Sequence, residues 1–363
     1  MLAECNRHQK RVTLRHPISK KRERINDKKK INASQIISRG AAHMSSLEHI
    51  INPKSIAVVG ASNRSGSVGL AVFQNLLQAG YKGILYPVNP KSRSIGGVKA
   101  YPKIADIPDE VDLAVVIVPA AKVLAVAREA AEKGIKGMIV ITAGFKEIGG
   151  HGVELERELV TFVKSHGIRL VGPNCLGIIN TNPEVCMNAS FARRHPKAGN
   201  IAFISQSGAL CTSVLDSAAG RNIGFSKFVS FGNKGDVNEI DFLTFLKDDP
   251  DTSVILMYLE DISDGHRFIN IAREITVEAG KPILAVKSGR SEEGAKAAAS
   301  HTGSLAGHDA TYDAIFHQGG IQRVEGVNEL FHYTRAFSLQ PLPEGNRRQV
   351  PGNCVGRVRG CRK

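Results

Sequence analysis

The chain of 363 residues has no apolar run approaching the roughly 18 residues that mark a membrane-spanning helix, so no membrane partner is expected. Its N-terminus lacks the short apolar core of a secretory signal. It also lacks a thiol framework. The six cysteines, Cys5, Cys175, Cys186, Cys211, Cys354 and Cys361, form no C-x-x-C pair, and no histidines stand at zinc-finger spacing. No metal is therefore assigned to this chain, and so few thiols in so long a chain point to a reducing cytoplasm. The folded part lacks net charge as well. The total is +14, yet residues 1–43 hold 12 Lys and Arg against 3 Asp and Glu, and residues 344–363 hold 6 against 1. Those two ends carry the whole excess and leave residues 44–343 neutral. A basic groove is not implied, and a nucleic-acid partner is not expected. Residues 1–43 read as a disordered basic extension, or as translation begun upstream of a natural start at Met44.

From Lys54 onward the pattern is strand, turn, helix, repeated. Ile56–Val59 is a short apolar run ending at Gly60. Val68, Val72, Leu76 and Ala79 then recur at helical spacing up to Gly80. Strands follow at Ile84–Val88, Leu113–Val118 and Gly137–Thr142, with a helix over Val123–Lys133. Such alternation predicts a parallel sheet covered by helices on both faces, its strands apolar throughout. Residues 44–150 thus read as a Rossmann-like domain and 151–198 as a connecting segment that includes a helix over 152–165 and a strand at Arg169–Val171. Residues 199–343 read as a second, flavodoxin-like doubly wound domain. Its strands are predicted at Ile201–Ile204, Val254–Leu259 and Ile283–Lys287, and its helices over Ala209–Ala219, 264–279, 308–318 and Val327–Ser338. The fold class is α/β.

Five segments could carry chemistry. Gly60, Ser62, Asn63 and Gly66 lie in a glycine-rich strand-to-helix turn, where a backbone without side chains approaches a phosphate and the helix N-terminus offers free N–H groups. The next strand ends in Asn89-Pro90-Lys91 instead of an acidic residue. Lys91 suits a phosphorylated ribose or a pyrophosphate, so a phosphate-bearing cofactor is expected, either CoA or NADP. Ser205-Gln206-Ser207-Gly208 is a second strand-to-helix turn, an anion site or simply an N-cap. His301 sits in Ser300-His301-Thr302-Gly303, after a run of small residues. It is either a nucleophile, since a neutral imidazole attacks well near neutrality, or an exposed loop residue. Glu260 closes an apolar strand at the end where open sheets bind ligands. It would orient such a histidine or cap a helix. In Gly172-Pro173-Asn174-Cys175, no local partner activates Cys175, which reads as structural or substrate-adjacent and not as a covalent catalyst.

Taken in order, these segments resemble the ADP-forming acyl-CoA synthetases, relatives of the succinyl-CoA synthetase α subunit. The resemblance runs over about residues 47–346 and rests on Pro53–Ser62, Val88–Lys91, Gly172–Cys175, Ser205–Gly208, the strand ending in Glu260, and Ser300–Gly303. It implies that acyl-CoA and phosphate give acyl phosphate and CoA, that His301 takes the phosphoryl group, and that ADP on an ATP-grasp subunit or domain, with Mg²⁺, receives it as ATP. It further implies that Ser62, Asn63, Gly66, Asn89, Lys91 and Pro119 hold CoA, that Ser205, Ser207 and Gly208 bind the phosphoryl group, and that Glu260 orients His301. An oligomer is expected. The chain departs from the family after Arg347, where an apolar strand should lead to a Gly-Gly-Pro-Gly turn. Here Arg348 to Lys363 is basic and without period, an aberrant tail that suggests a frameshift or truncation and a missing ATP-handling part. The competing readings are a non-catalytic CoA sensor, an NADP oxidoreductase and an inactive remnant.

Overall fold

In the computed structural model, the structure describes residues 47–289 and 309–340. The basic extension, the basic tail and His301 lie outside the described residues. A helical turn at 47–51 precedes the first sheet. That sheet contains β1 (Ser55–Val59), β2 (Ile84–Val88), β5 (Leu113–Val116), β6 (Gly137–Val140) and β7 (Arg169–Val171), in the order β2-β1-β5-β6-β7 and all parallel. A small hairpin, β3 (Ser94–Ile95) and β4 (Val98–Lys99), lies between β2 and β5 in the chain. The crossovers carry α1 (Val68–Gln78), α2 (Ala120–Lys133) and α3 (His151–Ser165). Every residue of β1, β5 and β6 is buried, as strands covered on both faces must be.

The second sheet has seven strands, ordered β14-β13-β12-β10-β11-β8-β9. They are β8 (Gly177–Asn180), β9 (Met187–Ser190), β10 (Lys197–Ser205), β11 (Gly224–Ser230), β12 (Val254–Leu259), β13 (Ile283–Lys287) and β14 (Gln322–Val324). β10 through β14 pair in parallel, while β8 and β9 add an antiparallel edge. Its helices are α4 (Gly208–Arg221), α5 (Glu239–Asp248), α6 (Gly265–Arg273, continued by a wider turn over Glu274–Glu278), α7 (Asp309–Gly319) and α8 (Val327–Leu339). Residues 151–198, expected as a connector, are divided between the two sheets: α3 and β7 extend the first, β8 and β9 the second.

The two sheets are held together by polar contacts with specific geometry. Arg169 of β7 reaches Asp236 at 2.9 Å and Asp241 at 3.2 Å, all three side chains being 9% exposed. Asn75 of α1 donates to the carbonyls of Ser190 and Ala192, both at 2.8 Å. Asn180 of β8 donates to the Ile51 carbonyl at 2.9 Å. A buried amide is costly unless bonded, so these residues specify one docking geometry where apolar packing alone would allow several.

Candidate functional site

Each sheet reverses its strand order at one point. In the first sheet this is between β1 and β5, and in the second between β10 and β12. Crevices at the carboxyl ends of such strands are where open α/β sheets bind ligands. The turn after β1 and the turn after β10 stand at these two points, and each opens a helix. Ser67 caps α1, accepting from Leu70 N at 3.3 Å, and Ser207 caps α4, accepting from Leu210 N at 3.3 Å. Both caps leave first-turn N–H groups and the positive end of the helix dipole facing outward.

The first turn is shaped by backbone proximity. Gly60 has φ +94°, and a Cβ there would lie 2.2 Å from the Ile117 carbonyl oxygen, so only glycine fits. The side chains predicted to touch a cofactor divide into two groups. Asn63 is occupied in shaping the loop: Nδ2 donates to the Ser94 carbonyl at 2.8 Å and Oδ1 accepts from Gly96 N at 3.1 Å. Asn89 likewise donates to the Ala61 carbonyl at 2.7 Å and accepts from Lys91 N at 2.8 Å. Ser62 accepts from Arg64 N at 3.0 Å. Gly66 (φ +73°) has open space around it. Lys91 and Pro119 are exposed, as are Arg64 and Arg93, which sequence reasoning did not select. Exposed cations in the segments that form and buttress a helix-opening turn suit phosphate groups in charge.

A cavity of about 610 Å³ runs from the first residue of α1 to the second turn. Val68 and Ile117 line it from the first domain. Ile141, Cys175, Leu176 and Phe191 form an apolar wall. Asn174, Ser207, Gly208 and Glu260 line its polar end, together with Gln206, Asp261, Lys146, Asn233 and Lys234. Five residues selected from separate stretches of sequence (Asn174, Cys175, Ser207, Gly208 and Glu260) thus face one space. Ser205 does not: it is fully buried, its hydroxyl donating to the Ser207 carbonyl at 3.0 Å and accepting from Ser207 N at 3.1 Å. It shapes the turn whose helix end faces the cavity.

Cys175 is buried, its Sγ directed at the Val140 carbonyl at 3.4 Å. Burial pushes its thiol up to about 12, and does the same to Cys211. Neither is a thiolate near neutrality, which matches a structural role.

The polar end is organised by residues that the sequence did not single out. The turn Gly232-Asn233-Lys234-Gly235 packs against Pro173 and Asn174 so closely that a Cβ on Gly232 would sit 2.3 Å from the Asn174 carbonyl oxygen. Asn233 accepts from Asn174 Nδ2 at 3.2 Å and donates to Glu147 at 2.6 Å and Glu156 at 2.8 Å. Burial raises the Glu147 pKa, but the Asn233 amide and backbone N–H groups outweigh it and leave the carboxyl below its ordinary range. Lys234 bridges Glu239 at 3.2 Å and Asp261 at 2.6 Å. Asp261 behaves like Glu147: burial opposes its charge, and the Lys234 ammonium, with the Gln206 amide and Lys146, more than compensates. At the end of β13, Lys287 is 3% exposed with its ammonium 4.4 Å from the Tyr312 ring centroid, and burial lowers its pKa. Among the described residues no group of three or more His, Cys, Asp or Glu is placed to hold a metal.

Residues 54–181 match the family model described as a CoA binding domain, and residues 198–337 match the succinyl-CoA ligase like flavodoxin domain. The chain is 45% identical over 307 residues to the 4-hydroxybutyrate–CoA ligase [ADP-forming] of Nitrosopumilus maritimus, covering 85% of this chain and 44% of that protein. It is 45% identical over 311 residues to the acetate–CoA ligase [ADP-forming] II subunit alpha of Pyrococcus furiosus, covering 85% of this chain and 66% of the subunit. The structure of the dinucleotide forming acetyl-coenzyme A synthetase 1 of Ca. Korarchaeum cryptofilum, in complex with phosphate and ADP, superposes with a TM-score of 0.79 at 46% identity, covering 82% of this chain and 64% of that one. The chain therefore spans less than half the length of the first of these relatives and about two thirds of the α subunit.

Proposed function

Since the chain belongs to the ADP-forming acyl-CoA synthetase family, as a relative of its α-type part, we propose that it binds acyl-CoA and phosphate and carries the phosphoryl group on His301. In this reading phosphate attacks the thioester carbonyl, the C–S bond breaks, and CoA leaves as the thiol. The acyl phosphate so formed loses its phosphoryl group to the His301 imidazole and departs as the carboxylate. Phosphohistidine then gives the group to ADP, making ATP and restoring the imidazole. The last step belongs to an ATP-grasp subunit or domain, which would also bring Mg²⁺. The assembly would be an oligomer in the cytoplasm, and no described helix is long and apolar enough to cross a membrane.

One observation supports this reading above the others. One cavity is lined by Val68 at the N-terminal end of α1 and by Ser207 and Gly208 at that of α4, so the thioester of a CoA whose phosphates lie at the first can meet a phosphate held by the second within one space. In that scheme Arg64, Lys91 and Arg93 neutralise CoA phosphates, with Asn63 and Asn89 keeping the loop in shape. Ser207, Gly208 and the first-turn N–H groups of α4 stabilise the charge on the migrating phosphoryl group. Glu260 accepts an N–H from the His301 ring, fixing its tautomer and stabilising the charged phosphorylated form.

The test is phosphorylation of the purified chain by labelled ATP, with and without a candidate ATP-grasp subunit. An acid-labile, base-stable label that needs the partner and vanishes in His301→Ala is the expected result. Intact CoA binding with no label under any pairing would refute the catalytic assignment.

A further inference from the structure

We propose that Gln206 is a positioning residue for Glu260, tying the phosphate-facing turn to the carboxylate across the mouth of the second sheet. The inference rests on the function proposed above and adds a part to it.

Gln206 is 8% exposed and uses both ends of its amide on one short segment. Its Oε1 accepts from Glu260 N at 2.6 Å and from Asp261 N at 3.1 Å. Its Nε2 donates to Asp261 Oδ1 at 2.6 Å. The same Asp261 oxygen meets Lys234 Nζ at 2.6 Å. Lys234 in turn meets Glu239, whose carboxylate accepts from Ser263 N at 2.6 Å. Residues 260–263 are thus held from three directions: by the turn after β10, the turn after β11 and the start of α5. A capping serine needs no glutamine beside it, and an ordinary strand-to-helix turn needs no bond to a neighbouring strand's end. The bonds from Gln206 fix where the Glu260 backbone stands relative to the N-terminus of α4. In the proposed reaction these two groups serve one phosphohistidine, the helix end facing its phosphoryl group and Glu260 its imidazole.

An isosteric change separates positioning from bulk packing. In Gln206→Glu the carboxylate still accepts the two backbone N–H groups but can no longer donate to Asp261. Two carboxylates then face each other at hydrogen-bonding distance and tend to share one proton. The other charged groups facing Asp261 are Lys234, Lys146 and Lys287 on the cationic side and Glu260 on the anionic side. With the shared proton the original geometry returns. As the pH rises and the proton leaves, Asp261 and the adjoining Glu260 are pushed away. Gln206→Ala removes the bonds without adding charge, so its defect has no such pH dependence.

The experiment measures the initial rate of His301 labelling in the complete assembly from pH 5.5 to 8.5 for wild type, Gln206→Ala and Gln206→Glu. CoA affinity and thermal unfolding are followed on the same samples. The alanine variant is expected to label about tenfold more slowly at every pH, the loss of about 1.4 kcal/mol of positioning. The glutamate variant is expected to approach the wild-type rate at the acid end and to fall by about tenfold or more toward pH 8.5, while CoA affinity stays unchanged. If wild type labels and the alanine variant keeps its rate, or the glutamate-to-wild-type ratio is flat with pH, the positioning role is overturned and the phosphohistidine reading stands. If wild type takes no label, both fall together.

Discussion

Replacing Asn233 by Asp should turn a stabilising contact into a pH-dependent fault, and the size of the effect follows from the geometry. Asn233 is 8% exposed and its Nδ2 donates to Glu147 at 2.6 Å and Glu156 at 2.8 Å. An Asp there presents an oxygen to two carboxylates. Two unit charges about 4 Å apart at an effective dielectric of about 20 repel by about 4 kcal/mol, and here there would be two such pairs. Taking up one proton is the cheaper solution. Against an unfolded Asp pKa of about 3.9, holding that proton costs about 4.2 kcal/mol at pH 7 and about 1.5 kcal/mol at pH 5. Loss of the second N–H bond adds about 1 kcal/mol at either pH. Asn233→Asp should therefore be destabilised by about 5 kcal/mol at pH 7 and about 2.5 kcal/mol at pH 5. The sign is that of a carboxyl raised by folding: the folded state binds the extra proton, so stability falls as pH rises. Glu147 in the wild type has the opposite sign. Its depressed pKa gives stability that is present above the ordinary carboxyl range and lost as pH falls through the folded value. Urea unfolding followed by circular dichroism at pH 5, 6 and 7 measures the difference between variant and wild type. A destabilisation under about 1 kcal/mol at pH 7, or one that does not change with pH, would refute the network as drawn.

Three further outcomes are expected. Arg169→Met leaves Asp241 buried without this cation and Asp236 with only the distant Lys164 ammonium at 3.9 Å, and should cost about 3 kcal/mol in urea unfolding; a loss under about 1 kcal/mol would mean the clamp between the sheets is idle. Gly60→Ala drives a methyl into the Ile117 carbonyl and should cost about 2–4 kcal/mol, with CoA affinity falling in calorimetry; unchanged affinity would show that this turn does not hold the cofactor. With thiols at about 12, Cys175 and Cys211 expose about one thiolate in ten thousand at pH 8. Alkylation of the folded chain, mapped by mass spectrometry, should spare both and modify the partly exposed Cys186; equal labelling of Cys175 and Cys186 would contradict the buried placement.

The fold was legible wherever strands are apolar on both faces. β2, β7, β12 and β13 fall where the apolar runs put them, and α1 and α3 end within a residue of the expected boundaries. Three of the elements missed bury polar side chains. β8 and β9, Gly-Ile-Ile-Asn and Met-Asn-Ala-Ser, read as a connector because Asn and Ser mark loops. Yet Asn180, Asn188 and Ser190 are at most 1% exposed, two of them bonded to the first domain by side chain or carbonyl. β11 contains Lys227, which periodicity assigns to solvent; Asp249 at 3.2 Å and Asp251 at 3.0 Å let it stay inside. α5 did carry a local signal, since Asn238 and Asp241 form a capping box. The site divides in the same way. Helix-opening turns are written in adjacent residues, so Ser207 and Gly208 could be recognised locally. Gln206 lies in the same four residues, but its partners Glu260 and Asp261 are 54 and 55 positions away. Asn233 joins groups 59 to 86 positions distant. An amide's local spacing says nothing of such partners. The anion-facing ends of this site can therefore be read one turn at a time, whereas the network that fixes them relative to one another exists only after both sheets have been assembled.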